Sequence, residues 1–300
     1  MLTLSQLFFN LLLPAIVCGG IYAVVAYIRK SDEENTSLLW LTAVAIGIGY
    51  IVGYLGIEKK ITFLPIESIH WLFYFTLFAI FSSTYWDFSG WRRLISQLIY
   101  SVALPRILLN SYFQYNWGTV EGIIWWVCLS VGVFIFWNIV IQSFSAIPSS
   151  NASIPFVYFG ISGGTALIIA LSGSVRIAQH AGTLVALFAV IWILTIVLLR
   201  GMQSNTNSNL HVFPISVSPL VTFLFVGIWM NGYFYAEAPS VSIILLAVSP
   251  FLAQVGKIPV IQQLKGRKSV FIQVGLIALC VSIAIIIAVF RSGFFGEDAY

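Results

Sequence analysis

The chain has 300 residues, of which 60% are hydrophobic and only 8% are charged, with a formal net charge of +4. Mean hydropathy is +0.99, and because a soluble domain carries about a quarter charged residues, a water-soluble fold is excluded. The basic residues are scattered through short loops rather than gathered in a patch or tail, which excludes nucleic acid as the partner their charge serves.

Ten apolar stretches follow one another, each near the roughly 20 residues a helix needs to cross the hydrocarbon. Backbone in lipid must satisfy its own hydrogen bonds, so stretches of this length are helices. The sequence therefore predicts an all-α integral membrane protein: a polytopic bundle of about ten transmembrane helices forming a single membrane domain over residues 1–300.

The first stretch is Leu7–Ile28, interrupted by Pro14 and Gly19-Gly20, and it is expected as a retained helix because no basic region or cleavage site precedes it. The second, Leu38–Ile57, contains Gly49 and Gly53 at a spacing that lets helices approach closely. The third, Ile69–Trp86, opens at His70 after a loop read as Glu58–Ser68. The fourth, Leu94–Leu109, is the least apolar: Arg92 and Arg93 precede it, and Pro105 and Arg106 stand side by side near its end. The fifth is Gly122–Ile141, and a Ser/Pro/Asn stretch, Ser143–Ser153, then reads as a link at the midpoint.

The sixth, Ile154–Leu171, holds Gly160 and Gly164, and the seventh, Ile177–Leu199, begins beside Arg176, Gln179 and His180. The eighth is Val212–Tyr235, closed by Glu237; the ninth is Pro239–Gly256 and the tenth Ser269–Phe290. No loop is long enough to bury a core of its own, so function is expected in or at the membrane.

Five helices per half is an odd number, so halves 1–147 and 148–300 would be related by inverted topology, a plan common among transporters. Glycine pairs recur at Gly19-Gly20 and Gly163-Gly164, and a Tyr-x-acid close recurs at Tyr85–Asp87 and Tyr235–Glu237. With ten spans, nine Lys and Arg residues fall in the loops of one side and four on the other, Arg106 being set aside. The basic side is cytoplasmic, which predicts a plasma or inner membrane protein with both termini outside the cytoplasm. The sequons at Asn35 and Asn151 then lie on the cytoplasmic side.

Charge inside a membrane is costly and marks function by default. In this threading Glu67, His70, Glu121, Arg176, His180 and Glu237 all fall at outer helix ends, and Arg106 leans the same way. The leading expectation is a secondary transporter of a small polar or anionic solute. Arg106, Arg176, Gln179, His180 and Glu237 are the candidate solute-binding residues, and His70 and His180 the candidate proton carriers. Gly49, Gly53, Gly160 and Gly164 are the expected packing positions.

Two alternatives stand beside it: a non-catalytic subunit of a membrane complex, and a membrane-embedded enzyme or metal-binding protein with an outer Glu67/His70/His180/Glu237 site. Cys18, Cys128 and Cys280 are far apart, and no nucleotide loop, dinucleotide fingerprint, zinc or serine-hydrolase motif occurs. No cofactor or resident metal is expected, and the partners are the bilayer and a small solute.

Overall fold

The structure, a computed structural model, describes residues 4–31, 40–63, 65–84, 90–146, 152–202, 215–258, 261 and 267–292. Among these every regular element is helical. Helix α1 covers 4–31, α2 is Leu41–Glu58, α3 is Trp71–Thr84 after a 3-10 turn at Ser68–His70, and α4 is Trp91–Leu108. Short α5, Asn110–Tyr115, leads to α6, Thr119–Ala146. Then come α7 (Ser153–Leu171), α8 (Val175–Met202), α9 (Ser218–Ala236), α10 (Ser240–Val248, continued as a 3-10 helix over Ser249–Lys257) and α11 (Arg267–Arg291). Asn35, Asp87, Asn151 and His211 lie outside the described residues.

Eight of these units are long and apolar enough to cross a membrane. Their outward faces carry large apolar side chains, such as Ile123, Ile124, Val127, Val131 and Ile135 on α6 and Leu279, Ile283 and Ile286 on α11. A helix facing water would place charge there. Lipid is therefore the solvent, and the chain is a multi-pass integral membrane protein.

The expected fifth and seventh helices are longer than read from sequence. The fifth runs to Ala146, so the link starts later than Ser143, whose buried hydroxyl instead meets the Tyr158 hydroxyl of α7 (2.9 Å).

At the centre stands α9, of which every residue except Tyr233 and Tyr235 is buried. It packs against α3, α6, α4 and α8. Gly227 lets it close on Leu72 of α3, and Gly232 on Ile169 of α7, whose Cδ1 would lie 2.9 Å from an added Cβ.

Two prolines shape the helices they interrupt. Pro14 has no N–H for the Asn10 carbonyl, and α1 widens into a π-helical turn over Phe8–Leu12. Thr183 of α8 supplies the missing donor, its hydroxyl lying 3.0 Å from that carbonyl. Pro250 likewise leaves the Leu246 carbonyl free; Ser249 donates to it (2.8 Å), and the helix tightens to 3-10.

Helices α3 and α4 fall short of the criterion the other eight meet, α3 by length and α4 because Arg92, Arg93 and Arg106 dilute its apolar run. They form an antiparallel hairpin, joined through Ser82 and Tyr100 (3.1 Å). The start of α3 and the end of α4 lie at the same end of the bundle: His70 sits beside Glu58, and Tyr235 donates to the Leu108 carbonyl (3.1 Å).

Helix α1 packs on α2, α7 on α8, α4 on α6, and the α10 unit on α11. Helix α7 also packs along α11.

Candidate functional site

Three helix ends converge at one end of the bundle. On α2, Tyr50, Tyr54 and Glu58 are spaced four apart and share a face; on α8, Arg176 and His180 do the same. The two faces meet because α2 carries glycine where they approach. A Cβ at Gly49 would lie 2.6 Å from Leu187 Cδ2 and 2.8 Å from Cys18 Cβ, and one at Gly53 would overlap Thr183 Cγ2. Glu58 closes α2, and Lys59, left-handed at φ 56°, turns the chain away toward the third helix end, where Glu67 precedes His70 by three residues.

The Glu58 side chain is only 3% exposed yet fully engaged. Arg176 grips it side-on, Nε donating to Oε1 (2.8 Å) and Nη2 to Oε2 (2.5 Å). Its Nη1 reaches Glu67 Oε2 at 2.7 Å, so one guanidinium bridges two carboxylates, an arrangement suited to its planar fork.

The fully buried His180 lies with Nε2 3.1 Å from Glu58 Oε1 and Nδ1 3.2 Å from the Tyr50 hydroxyl. An ionised carboxylate only accepts, so Nε2 carries the proton and Tyr50 donates to Nδ1. His70 accepts or donates at Nδ1 with the Tyr54 hydroxyl (2.6 Å), 3.7 Å from Glu58 Oε2, while its Nε2 is 3.7 Å from Glu67 Oε2. Tyr54 packs its ring against His180, centroids 5.6 Å apart. Two carboxylates against one guanidinium leave this set one negative charge with both imidazoles neutral.

Beside the set opens a cavity of about 370 Å³ with mixed walls, Glu67, Ser68, Ser111, Ser174, Arg176, Asn231 and Tyr235 standing beside Ile66, Ile69 and Ile177. Glu237 caps α9, exposed and left-handed (φ 54°), two residues past the cavity-lining Tyr235. Nearby Tyr112 donates to the Phe234 carbonyl; burial first, then the neighbouring Tyr235 and Glu237, raise its phenol above the ordinary value.

Of the residues singled out from sequence, Glu67, His70, Arg176 and His180 are thus together, whereas Glu237 closes α9 outside the cavity's lining. Gln179 is not with them: it lines a separate cavity of about 270 Å³ between α1, α7 and α8, with Asn10 and Gly182. Arg106 is also elsewhere. It is exposed, donates to Asn110 Oδ1 (2.9 Å) and lies 4.6 Å from the Phe113 ring centroid, so its charge is met by its own following turn. Glu121 is exposed in the first turn of α6. Gly164 faces Val281 of α11, where a Cβ would lie 2.6 Å from Cγ1, whereas Gly160 faces open space.

Glu58 is the residue sequence reasoning passed over as part of a loop; its register with Tyr50 and Tyr54 was the available signal. Among the described residues no three His, Cys, Asp or Glu side chains are arranged to hold a metal ion. Comparison with protein-family models, curated proteins and solved structures gives no match for this chain.

Proposed function

We propose that the chain is a secondary transporter that moves a small polar solute in exchange for, or together with, a proton. One observation carries this reading: Glu58, Glu67, His70, Arg176 and His180, drawn from three helix ends, form one bonded set beside a partly polar cavity in an otherwise apolar bundle. Ion-pair networks at such positions mark solute or proton routes. In this reading Arg176 bridges the two carboxylates, with Glu58 buried behind it and Glu67 left largely exposed. His70, between Glu58 and Glu67, carries the coupling proton that balances the residual negative charge, and His180 fixes Glu58 from below.

Both chain termini and the cavity lie on the non-cytoplasmic side, the basic loops on the cytoplasmic side, and the α3–α4 hairpin completes ten spans. The test is reconstitution of the whole chain in liposomes enclosing a pH-sensitive dye, challenged in turn with small amines, amino acids, carboxylates and sugars. One class is expected to drive proton flux, and His70→Gln to abolish the coupling while the protein still assembles. Proton-tight vesicles that respond to none of the four classes would overturn the reading.

A further inference from the structure

The cavity beside Arg176 carries unspent hydrogen-bonding groups of both signs. Glu67, 58% exposed at its side chain, turns Oε2 to Arg176 Nη1 (2.7 Å) and keeps Oε1 to accept. A guanidinium has five N–H donors, and Arg176 spends three of them, from Nε, Nη1 and Nη2, on Glu58 and Glu67. Asn231, 1% exposed, gives one Nδ2 hydrogen to the Gly227 carbonyl (2.8 Å), so a second N–H and Oδ1 remain. Ser174 stands just before α8, its carbonyl taking the first helical bond from Ala178 (3.1 Å). The N–H groups of the turn that follows have no helical carbonyl before them, and the macrodipole makes that end positive. Ser68 is the independent sign of a guest. It is only 8% exposed, lies on the same wall and has no hydrogen-bond partner at Oγ, whereas a buried hydroxyl normally has one.

The lining charges are adjacent as well as opposite. With Glu67 and Arg176 in contact at 2.7 Å, a plain anion at the guanidinium lies against the carboxylate, and a plain cation at the carboxylate lies against the guanidinium. Like charges at such range repel. A guest with both signs a single carbon apart escapes both penalties, its ammonium on Glu67 and its carboxylate on Arg176. The rest of the wall is apolar: Ile69 and Ile177, both buried, stand beside these groups.

We infer that the cavity binds a free α-amino acid, as its zwitterion, with an aliphatic side chain. Its ammonium donates to Glu67 Oε1 and Asn231 Oδ1. Its carboxylate accepts from Arg176, from the Ser68 hydroxyl and from the first turn of α8, and its side chain lies on Ile69 and Ile177. The assignment names the solute of the transport reading and rests on that reading for movement across the membrane, but not for binding.

Titration calorimetry on the full-length protein in mild detergent tests it, with leucine and three relatives as probes. Isopentylamine is leucine without its carboxylate, isocaproate is leucine without its ammonium, and ε-aminocaproate is an isomer with the charges at opposite ends. Leucine is expected to bind at least about tenfold more tightly than any of the three, the worth of one charge-assisted hydrogen bond. Ser68→Ala, which removes a hydroxyl that no other group bonds, should weaken leucine about tenfold. Glu67→Gln, at a half-exposed position, should weaken leucine by a similar factor and tighten isocaproate, a gain that loss of structure does not produce. Absence of leucine binding, a relative bound as tightly as leucine, leucine affinity unchanged in either variant, or isocaproate no tighter in Glu67→Gln would each overturn the assignment. Proton flux driven by another solute class, with leucine not bound, overturns it and leaves the transport reading standing. Leucine bound but not carried into liposomes does the reverse.

Discussion

Arg176 decides the state of Glu58. A carboxylate 3% exposed at its side chain, at the end of a membrane helix, is tolerable because a bidentate guanidinium and an imidazole N–H meet it. Removing one member of a fully buried pair costs about 3–5 kcal/mol, whereas removing both is far milder; with Arg176 47% exposed, the loss here lies toward the low end of that range. Arg176→Gln should accordingly lower the thermal midpoint in detergent strongly, and Glu58→Gln added to it should restore most of the loss. A double variant no more stable than the single would mean that Glu58 is solvated through the cavity and not dependent on Arg176. The individual ionisable residues of this site were legible as outer-end charges, since Glu67, His70, Arg176 and His180 each stand out against apolar runs. Their mutual arrangement was not: nothing in one sequence says that the second and seventh stretches touch. Arg106 attracted attention for the same reason as Arg176, yet its partners, Asn110 and Phe113, are local, and a local partner looks the same in sequence as a missing one.

At the scale of elements, lipid removes the usual guide to burial. Soluble helices declare their core face by polarity, but a membrane helix is as apolar toward lipid as toward its neighbours, so α9 reads no differently from α6 although one is enclosed and the other rings the bundle. Steric detail carries the information instead. Gly53 and Gly160 each belong to a Gly-x-x-x-Gly motif, yet a methyl group at Gly53 would strike Thr183 while one at Gly160 meets nothing within 4 Å. Gly53→Ala should therefore cost about 1–3 kcal/mol by overpacking, with the α2–α8 contact and the Glu58–Arg176 pair loosening together. Gly160→Ala should be neutral or slightly stabilising, since alanine favours the helix. Thermal denaturation of the two variants side by side separates them, and equal losses would contradict the α1–α2–α8 packing described above. Helix centres were legible from the apolar runs but their ends were not, since the fifth and seventh helices run past them; Pro14 announced a break in α1 but not that Thr183, 169 positions away, would mend it.

For the molecule as a whole, the α3–α4 hairpin determines the span count without determining the orientation. Because its two open ends lie together, by His70 and by Leu108, the chain leaves this pair on the side where it entered. Ten spans and eight thus give every other helix the same direction; only a nine-span count, with one arm crossing, would invert half the protein. The distinction is accessible with single cysteines placed in a chain whose Cys18, Cys128 and Cys280 are replaced by alanine. Lys60, Trp91 and Lys257 are all exposed and sit after α2, at the start of α4 and at the end of the α10 unit. With the basic loops cytoplasmic, Lys60→Cys should react with a membrane-impermeant maleimide on intact cells, and Lys257→Cys only after the membrane is opened. Trp91→Cys should follow Lys257 if both arms of the hairpin cross. Reaction of Trp91→Cys alongside Lys60→Cys would instead mean that the hairpin dips in and returns, giving eight spans. Reaction of Lys257→Cys on intact cells would reverse the orientation and place the Glu58–Arg176 site, with its cavity, on the cytoplasmic face.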